Sequence, residues 1–330
     1  MSDATKPAQP IPAVPPARSR PPTPAERAWD NFFRRLTWGT AWLSVGLLVF
    51  FVLEIGSRAM PAVREHGTGM LTSTEWAPSE QEYGILPHIW GTLYSSLLGL
   101  FIGSILGIAV AIFITEDFLP SKWRTVLKNI VELLAAIPSV IYGLWGIYVV
   151  IPALKGPANW LHHNFGWFPL FSTSFGGPGM LPAALVLAIM VLPTVTALSR
   201  DAIANVPPRL REGAIGLGAT RWETILKITL PTASAGIFGA IILAFGRALG
   251  ETMALAMLVG NRPDISWSIL APGHTLAALL ANNFREAVTD PPQVSALMYA
   301  ALVLMLITLI VNILGSLVIW RASSKLKGLR

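Results

Sequence analysis

The chain has 330 residues, 53% of them hydrophobic and only 13% charged, whereas soluble domains carry about 25% charged residues. With a mean hydropathy of +0.58 it reads as a polytopic membrane protein, not as one or two soluble domains. The absence of cysteine excludes disulfides, iron–sulfur clusters, thiolate zinc sites and a cysteine nucleophile.

Residues 1–35 contain eight prolines, from Pro7 to Pro24, and no apolar run, so a disordered cytoplasmic tail is expected there. The first apolar run, 36–59, starts far into the chain, unlike the core of a cleaved signal, and is expected to be an uncleaved anchor. Five further runs follow at 91–115, 127–151, 180–199, 233–259 and 294–320. Each approaches or exceeds the ~20 apolar residues that a bilayer demands, so the expected fold is all-α with six transmembrane helices. A loop at 60–90 follows the anchor, a transmembrane core spans 91–320, and a basic tail occupies 321–330.

Positive charge is retained on the cytoplasmic side of short loops. Eighteen basic residues fall in the two tails and in the loops around Lys122–Lys128 and 200–231, while five (Arg58, Arg64, Lys155, Arg262, Arg285) fall on the other side. Both termini are therefore expected in the cytoplasm of a bacterial inner-membrane protein, and the net charge of +6 is topological, with no nucleic-acid partner implied. The outer loops carry Trp160, Phe165, Trp167 and Phe168, which suit interfacial anchoring in lipid or docking of an extracytoplasmic partner.

The loop at 200–231 has the most specific pattern. Pro207 and Pro208 can open a helix but not sit inside one, Gly218 supplies a turn, and Pro231 is expected to end a second short helix. The run Glu212-Gly213-Ala214, then Gly218, Ile228 and Leu230-Pro231, resembles the EAA loop of binding-protein-dependent ABC importer permeases. The one departure is Gly213, where the pattern has alanine. The resemblance implies a type I ABC importer permease fold in which the first short helix couples to a separate ATPase subunit. Glu212 and Gly218 would shape that contact, and Arg211 and Arg221 would add to it. The chain has no G-x-x-x-x-G-K-[ST] stretch of its own, so no ATP-cradling loop, no catalytic role and no cofactor is expected.

Arg247 stands inside the 233–259 run with Glu251 four residues on, expected on the same helical face, and Gly246 and Gly250 precede them at the same spacing. Charge at that depth costs ~2.5–3.5 kcal/mol for an arginine, so both groups are expected to face a pathway, a partner helix or each other. Contact with a protonated oxyanion and a structural ion pair are both open. The stretch from Gly246 to Ala254, followed by Gly260-Asn261, resembles the phosphate-specific importer permeases of the PstC type, as does Pro272-Gly273 with Leu276 to Asn282. This resemblance covers roughly 91–320. It implies a heterodimer with a PstA-type permease, two ATP-binding subunits and an extracytoplasmic phosphate-binding protein. An importer for another solute, such as molybdate, sulfate or an amino acid, is the nearest rival, and a secondary transporter is the next. The pairs Glu54/Arg58 and Lys128/Glu132 read as structural, and the scattered histidines do not read as a metal site.

Overall fold

The computed structural model describes residues 23–116 and 118–327. Along the chain these form α1 (Pro24–His66), α2 (Gly69–Thr72), β1 (Trp76–Ala77), β2 (Glu82–Tyr83), α3 (Leu86–Thr115), α4 (Ser121–Ala136), α5 (Ser139–Trp145), α6 (Ile151–Phe165) and α7 (Met180–Ala204). There follow α8 (Pro208–Gly216), α9 (Arg221–Thr224), α10 (Leu230–Leu249), α11 (Met253–Leu258), α12 (Leu276–Ala287) and α13 (Pro291–Lys327). The fold is all-α apart from the short antiparallel pairing of β1 with β2. Among the described residues, six helices are long and apolar enough to cross a membrane: 24–66, 86–115, 139–165, 180–204, 221–249 and 291–321.

The chain divides into two units, residues 1–53 and 54–330. The described part of the first is the leading portion of α1, whose Trp38, Trp42, Leu48 and Phe50 are all exposed. Residues 24–35 belong to this helix, which corrects the expected tail; residues 1–22 lie outside the described part. The cause is local. Thr23 and Glu26 form a reciprocal cap (Thr23 N to Glu26 Oε2 2.7 Å, Glu26 N to Thr23 Oγ1 3.3 Å), with Pro24 at the first helical position, where its missing N–H costs nothing.

In the second unit, α3 and α7 pack along their length. Gly99, Gly103 and Gly107 recur every four residues on one face of α3 and stand against Leu187, Val191 and Val195 of α7. The opposite face of α3 exposes Leu97, Phe101 and Ile105, as expected of a helix with lipid on one side. Four apolar clusters form among the described residues, the smallest of Ala158, Phe175 and Leu270. One joins Leu100, Tyr142, Leu187, Ala244, Leu255 and Leu258, a second joins Ala59, Tyr83, Ile85, Leu276 and Leu297, and a third joins Ala111, Ile112, Ile203, Val206, Ile225 and Ile237.

Four expected boundaries change, each for a backbone reason. The expected 60–90 loop is partly ordered, since α1 runs to His66 and α2 and the hairpin follow. The run 127–151 is not one helix, because Pro138 breaks it into α4 and α5, and a π-helical turn over Gly146–Val150 leads on into α6. Pro231 does not end the second short helix. A π-turn over Ile225–Thr229 carries the helix from α9 straight on into α10, and Pro231 follows this wider turn inside a continuous helix. The run 233–259 is interrupted at Gly250–Thr252, between α10 and α11. The two structural pairs do form, Arg58 to Glu54 at 2.7 Å and Lys128 to Glu132 at 3.7 Å.

Candidate functional site

Helices α8 and α9 make the hairpin expected between α7 and α10. Gly218 adopts φ +90°, the left-handed region where a side chain is strained, and lets the chain reverse after α8. Orphan carbonyls of α8 are satisfied by Leu217 N (to Gly213 O, 3.1 Å) and Ala219 N (to Ala214 O, 3.0 Å). The second helix opens on a capping box in which Thr220 and Glu223 bond reciprocally, and Lys227 pairs with Glu223 at 3.3 Å.

Glu212, Gly213 and Gly218 are exposed, as are the large apolar Leu210, Ile215 and Leu217, the last at 91%. These three exposed apolar side chains stand on one short hairpin. Sequence reasoning passed over these three residues, although apolar side chains in a solvated hairpin were the available signal. Ala214 and Leu230 are half-buried and Pro231 is exposed. The two arginines are engaged within their own chain. Arg211 lies 2.9 Å from Glu116 at the end of α3 and donates to Ile203 O at 2.6 Å, while Arg221 stands 5.2 Å over the ring of Phe118. The sequence offered no hint of Glu116.

Arg247 lies in the last turn of α10, about 25 Å along the helix axis from Leu230 at a rise of 1.5 Å per residue. Beyond the break, Leu258 of α11 accepts from Gly179 N at 2.8 Å, at the opposite end of the bundle from the hairpin. The charge therefore falls between the two ends. Glu251 stands in the irregular link after Gly250, not on the helix, so the shared helical face is corrected; among the described residues no ion pair joins the two. The physical reason is that the helical ladder gives way here to a tighter three-residue turn, Glu251 N bonding to Ala248 O at 3.3 Å, which ends the 3.6-residue period before Glu251 is reached. Arg247 is exposed on this chain, Glu251 is half-buried, and Arg247 lies within electrostatic reach of Tyr142 on α5. Gly246, next to it, faces the Asn312 amide of α13, whose Oδ1 would stand 3.1 Å from a Cβ there. Asn312 is a polar group of α13 beside Gly246 that the sequence did not mark.

Residues 103–322 match the family model described as binding-protein-dependent transport system inner membrane component. The chain belongs to this family. Its span within the match includes the hairpin, Arg247 and Glu251. The permease is 38% identical over 302 residues to the "Phosphate transport system permease protein PstC" of Xylella fastidiosa strain Temecula1, covering 90% of this chain and 92% of that one. It is 37% identical to the protein of the same name in Mesorhizobium japonicum (90% and 91% covered), and 36% identical to a "Probable phosphate transport system permease protein PstC" of Methanocaldococcus jannaschii (82% and 88%). Among solved structures it resembles a bacterial alginate ABC transporter in complex with a pentasaccharide-bound periplasmic protein, at TM-score 0.58 and 20% identity, covering 88% of this chain and 96% of that chain. The MetNI methionine ABC transporter in an inward-facing form gives TM-score 0.55 at 17% identity, covering 72% and 95%. These two likenesses speak for the fold. The permease is thus a multi-pass inner-membrane transport subunit with the type I ABC importer fold.

Proposed function

We propose that the permease forms half of the pathway of an ATP-driven importer of inorganic phosphate, with a second, PstA-type permease as the other half. Two ATP-binding subunits would dock on the hairpins, and phosphate would arrive on an extracytoplasmic binding protein. Both termini lie in the cytoplasm in this reading. The substrate rests on the similarity, over nine-tenths of the chain, to relatives named as phosphate permeases. What supports the half-pathway is Arg247: an exposed guanidinium well inside an apolar bundle is costly against lipid and favourable against water, an oxyanion or a facing subunit.

In the proposed cycle, closure of the ATPase dimer moves Glu212 and the apolar tip at Leu210, Ile215 and Leu217. The motion passes through α9 and the π-turn into α10, at whose far end Arg247 stands. The planar fork of Arg247 suits two phosphate oxygens, and Glu251 can accept the hydroxyl hydrogen that monohydrogen phosphate has and sulfate lacks. Uptake of labelled phosphate in the presence of excess sulfate, molybdate or arsenate tests the substrate. Competition by arsenate alone, which shares the protonated hydroxyl, is the expected result, and equal competition by sulfate would overturn the phosphate assignment. An uncoupler that abolishes uptake while ATP stays high would favour a gradient-driven transporter instead.

A further inference from the structure

The hairpin is joined covalently to α7 and α10. Its connection to α3 is entirely non-covalent and holds at both of its helices. Glu116 caps the end of α3, and its carboxylate lies 2.9 Å from Nη1 of Arg211 on α8, with both side chains largely buried (17% and 22% exposed). The second terminal nitrogen of Arg211 donates to the Ile203 carbonyl near the end of α7, so one guanidinium bridges α3 and α7. Two residues beyond Glu116, Phe118 stacks on Trp222 of α9, with ring centroids 5.0 Å apart and planes 25° from parallel, while Arg221 stands over Phe118. Beneath these contacts Ala111, Ile112, Ile203, Val206 and Ile225 form an apolar floor against which Phe118 packs.

We propose that Glu116 and Phe118 form a latch that makes the end of α3 and the hairpin a single moving body. This rests on the coupling role proposed for the hairpin and adds a second route to it. Displacement at the hairpin then reaches α3 directly, and through the glycine face of α3 it reaches α7, so the bundle turns as a unit instead of bending at the π-turn below α10. Glu116 is a positioning residue: it touches neither phosphate nor ATP, and it acts through Arg211. A buried ion pair between residues far apart in sequence adds little net stability when made but costs much when one partner is lost, a property that suits a fixed register better than general stabilisation.

The test is phosphate imported per ATP hydrolysed in proteoliposomes carrying the complete importer. Glu116→Gln is expected to lower this ratio roughly threefold or more, within the usual range of inter-site coupling, while hydrolysis continues. Glu116→Asp, which keeps the carboxylate and leaves the Arg211 bond to Ile203 in place, is expected to recover about half or more of the coupling that Glu116→Gln loses. Because the chain has no cysteine, Phe118→Cys with Trp222→Cys permits a selective tether. The reduced double variant is expected to be poorly coupled, and a short bifunctional cross-linker to restore coupling. A ratio unchanged in Glu116→Gln, or a tether that stops import, would overturn the latch. Glu212→Arg separates the premise: if it leaves the ATPase subunits bound and the ratio unchanged, the coupling role of the hairpin fails. A normal loss there with an unchanged Glu116→Gln ratio sinks the latch alone.

Discussion

The packing of α3 on α7 depends on the absence of a side chain at Gly103. A Cβ at that position would stand 2.5 Å from Val191 Cγ2 and 2.8 Å from the carbonyl oxygen of Ala188. The valine methyl can rotate away, but the carbonyl is held in the α7 ladder, so the helices must part by about 0.6 Å to reach ordinary contact distance. A gap of that size forfeits roughly a quarter to a half of the dispersion well for the atoms lining the seam. Overpacking of this kind costs about 1–3 kcal/mol, and Gly103→Val, which presses a branched side chain against backbone, belongs at the upper end. The better helix propensity of valine offsets only about 0.4 kcal/mol of that. The expected net loss is about 2–3 kcal/mol, a fall in melting temperature of roughly 3–4 °C for a 330-residue chain at about 2.1 cal/mol/K of unfolding entropy per residue. Gly46→Val is the control, since a Cβ there meets nothing within 4 Å. The assay is thermal unfolding of the detergent-purified permease followed by size-exclusion chromatography. If Gly103→Val melted within about 2 °C of Gly46→Val, the close approach of α3 and α7 would not be the constraint argued here.

Three further outcomes follow from the same geometry. Gly213→Ala meets nothing within 4 Å, so it should firm α8 by about 0.5–1 kcal/mol, seen as slower hydrogen exchange over 208–216, and leave import unchanged. Arg247→Gln keeps most of the side-chain volume and removes the charge, so phosphate uptake should fall roughly tenfold or more with normal membrane insertion, the scale of one charge-assisted hydrogen bond. Uptake at the wild-type rate would make Arg247 part of the scaffold. Burial holds the His274 imidazole below its ordinary pKa of 6.5, only partly opposed by its hydrogen bond to Thr275. The unfolded chain therefore binds the proton more readily than the folded one, so the stability from a neutral His274 is complete above pH 6.5 and is lost as pH falls below it. The melting temperature of the wild type should drop more than that of His274→Gln between pH 7 and pH 5, and parallel profiles would refute the sign.

The membrane crossings were legible because bilayer thickness imposes a long apolar run. The turn at Gly218 was legible for a local reason, since one backbone conformation needs that residue. The interruptions were not. Pro138 lay within a run whose hydropathy did not change across it, and Gly250 resembled a packing glycine, so Glu251 was expected on the helical face of Arg247. Pro231 misled in the opposite sense, because a π-turn just before it lets the helix run on past the proline. The helix starting at Pro24 was hidden by the prolines before it, although Thr23 and Glu26 already spelled a cap. Contacts such as Arg211 with Glu116 and Gly103 with Val191 join residues that nothing in their own neighbourhoods pairs, and only the packing of α3 against α7 and the hairpin brings them together.

The central claim is tested most directly by ATP-dependent uptake of labelled phosphate in cells lacking this chain, then supplied with the wild type or with Glu212→Ala. The account predicts loss on deletion, rescue by the wild type and no rescue by a normally inserted Glu212→Ala. Phosphate uptake that is unchanged by deletion, with no second phosphate importer active, would contradict it.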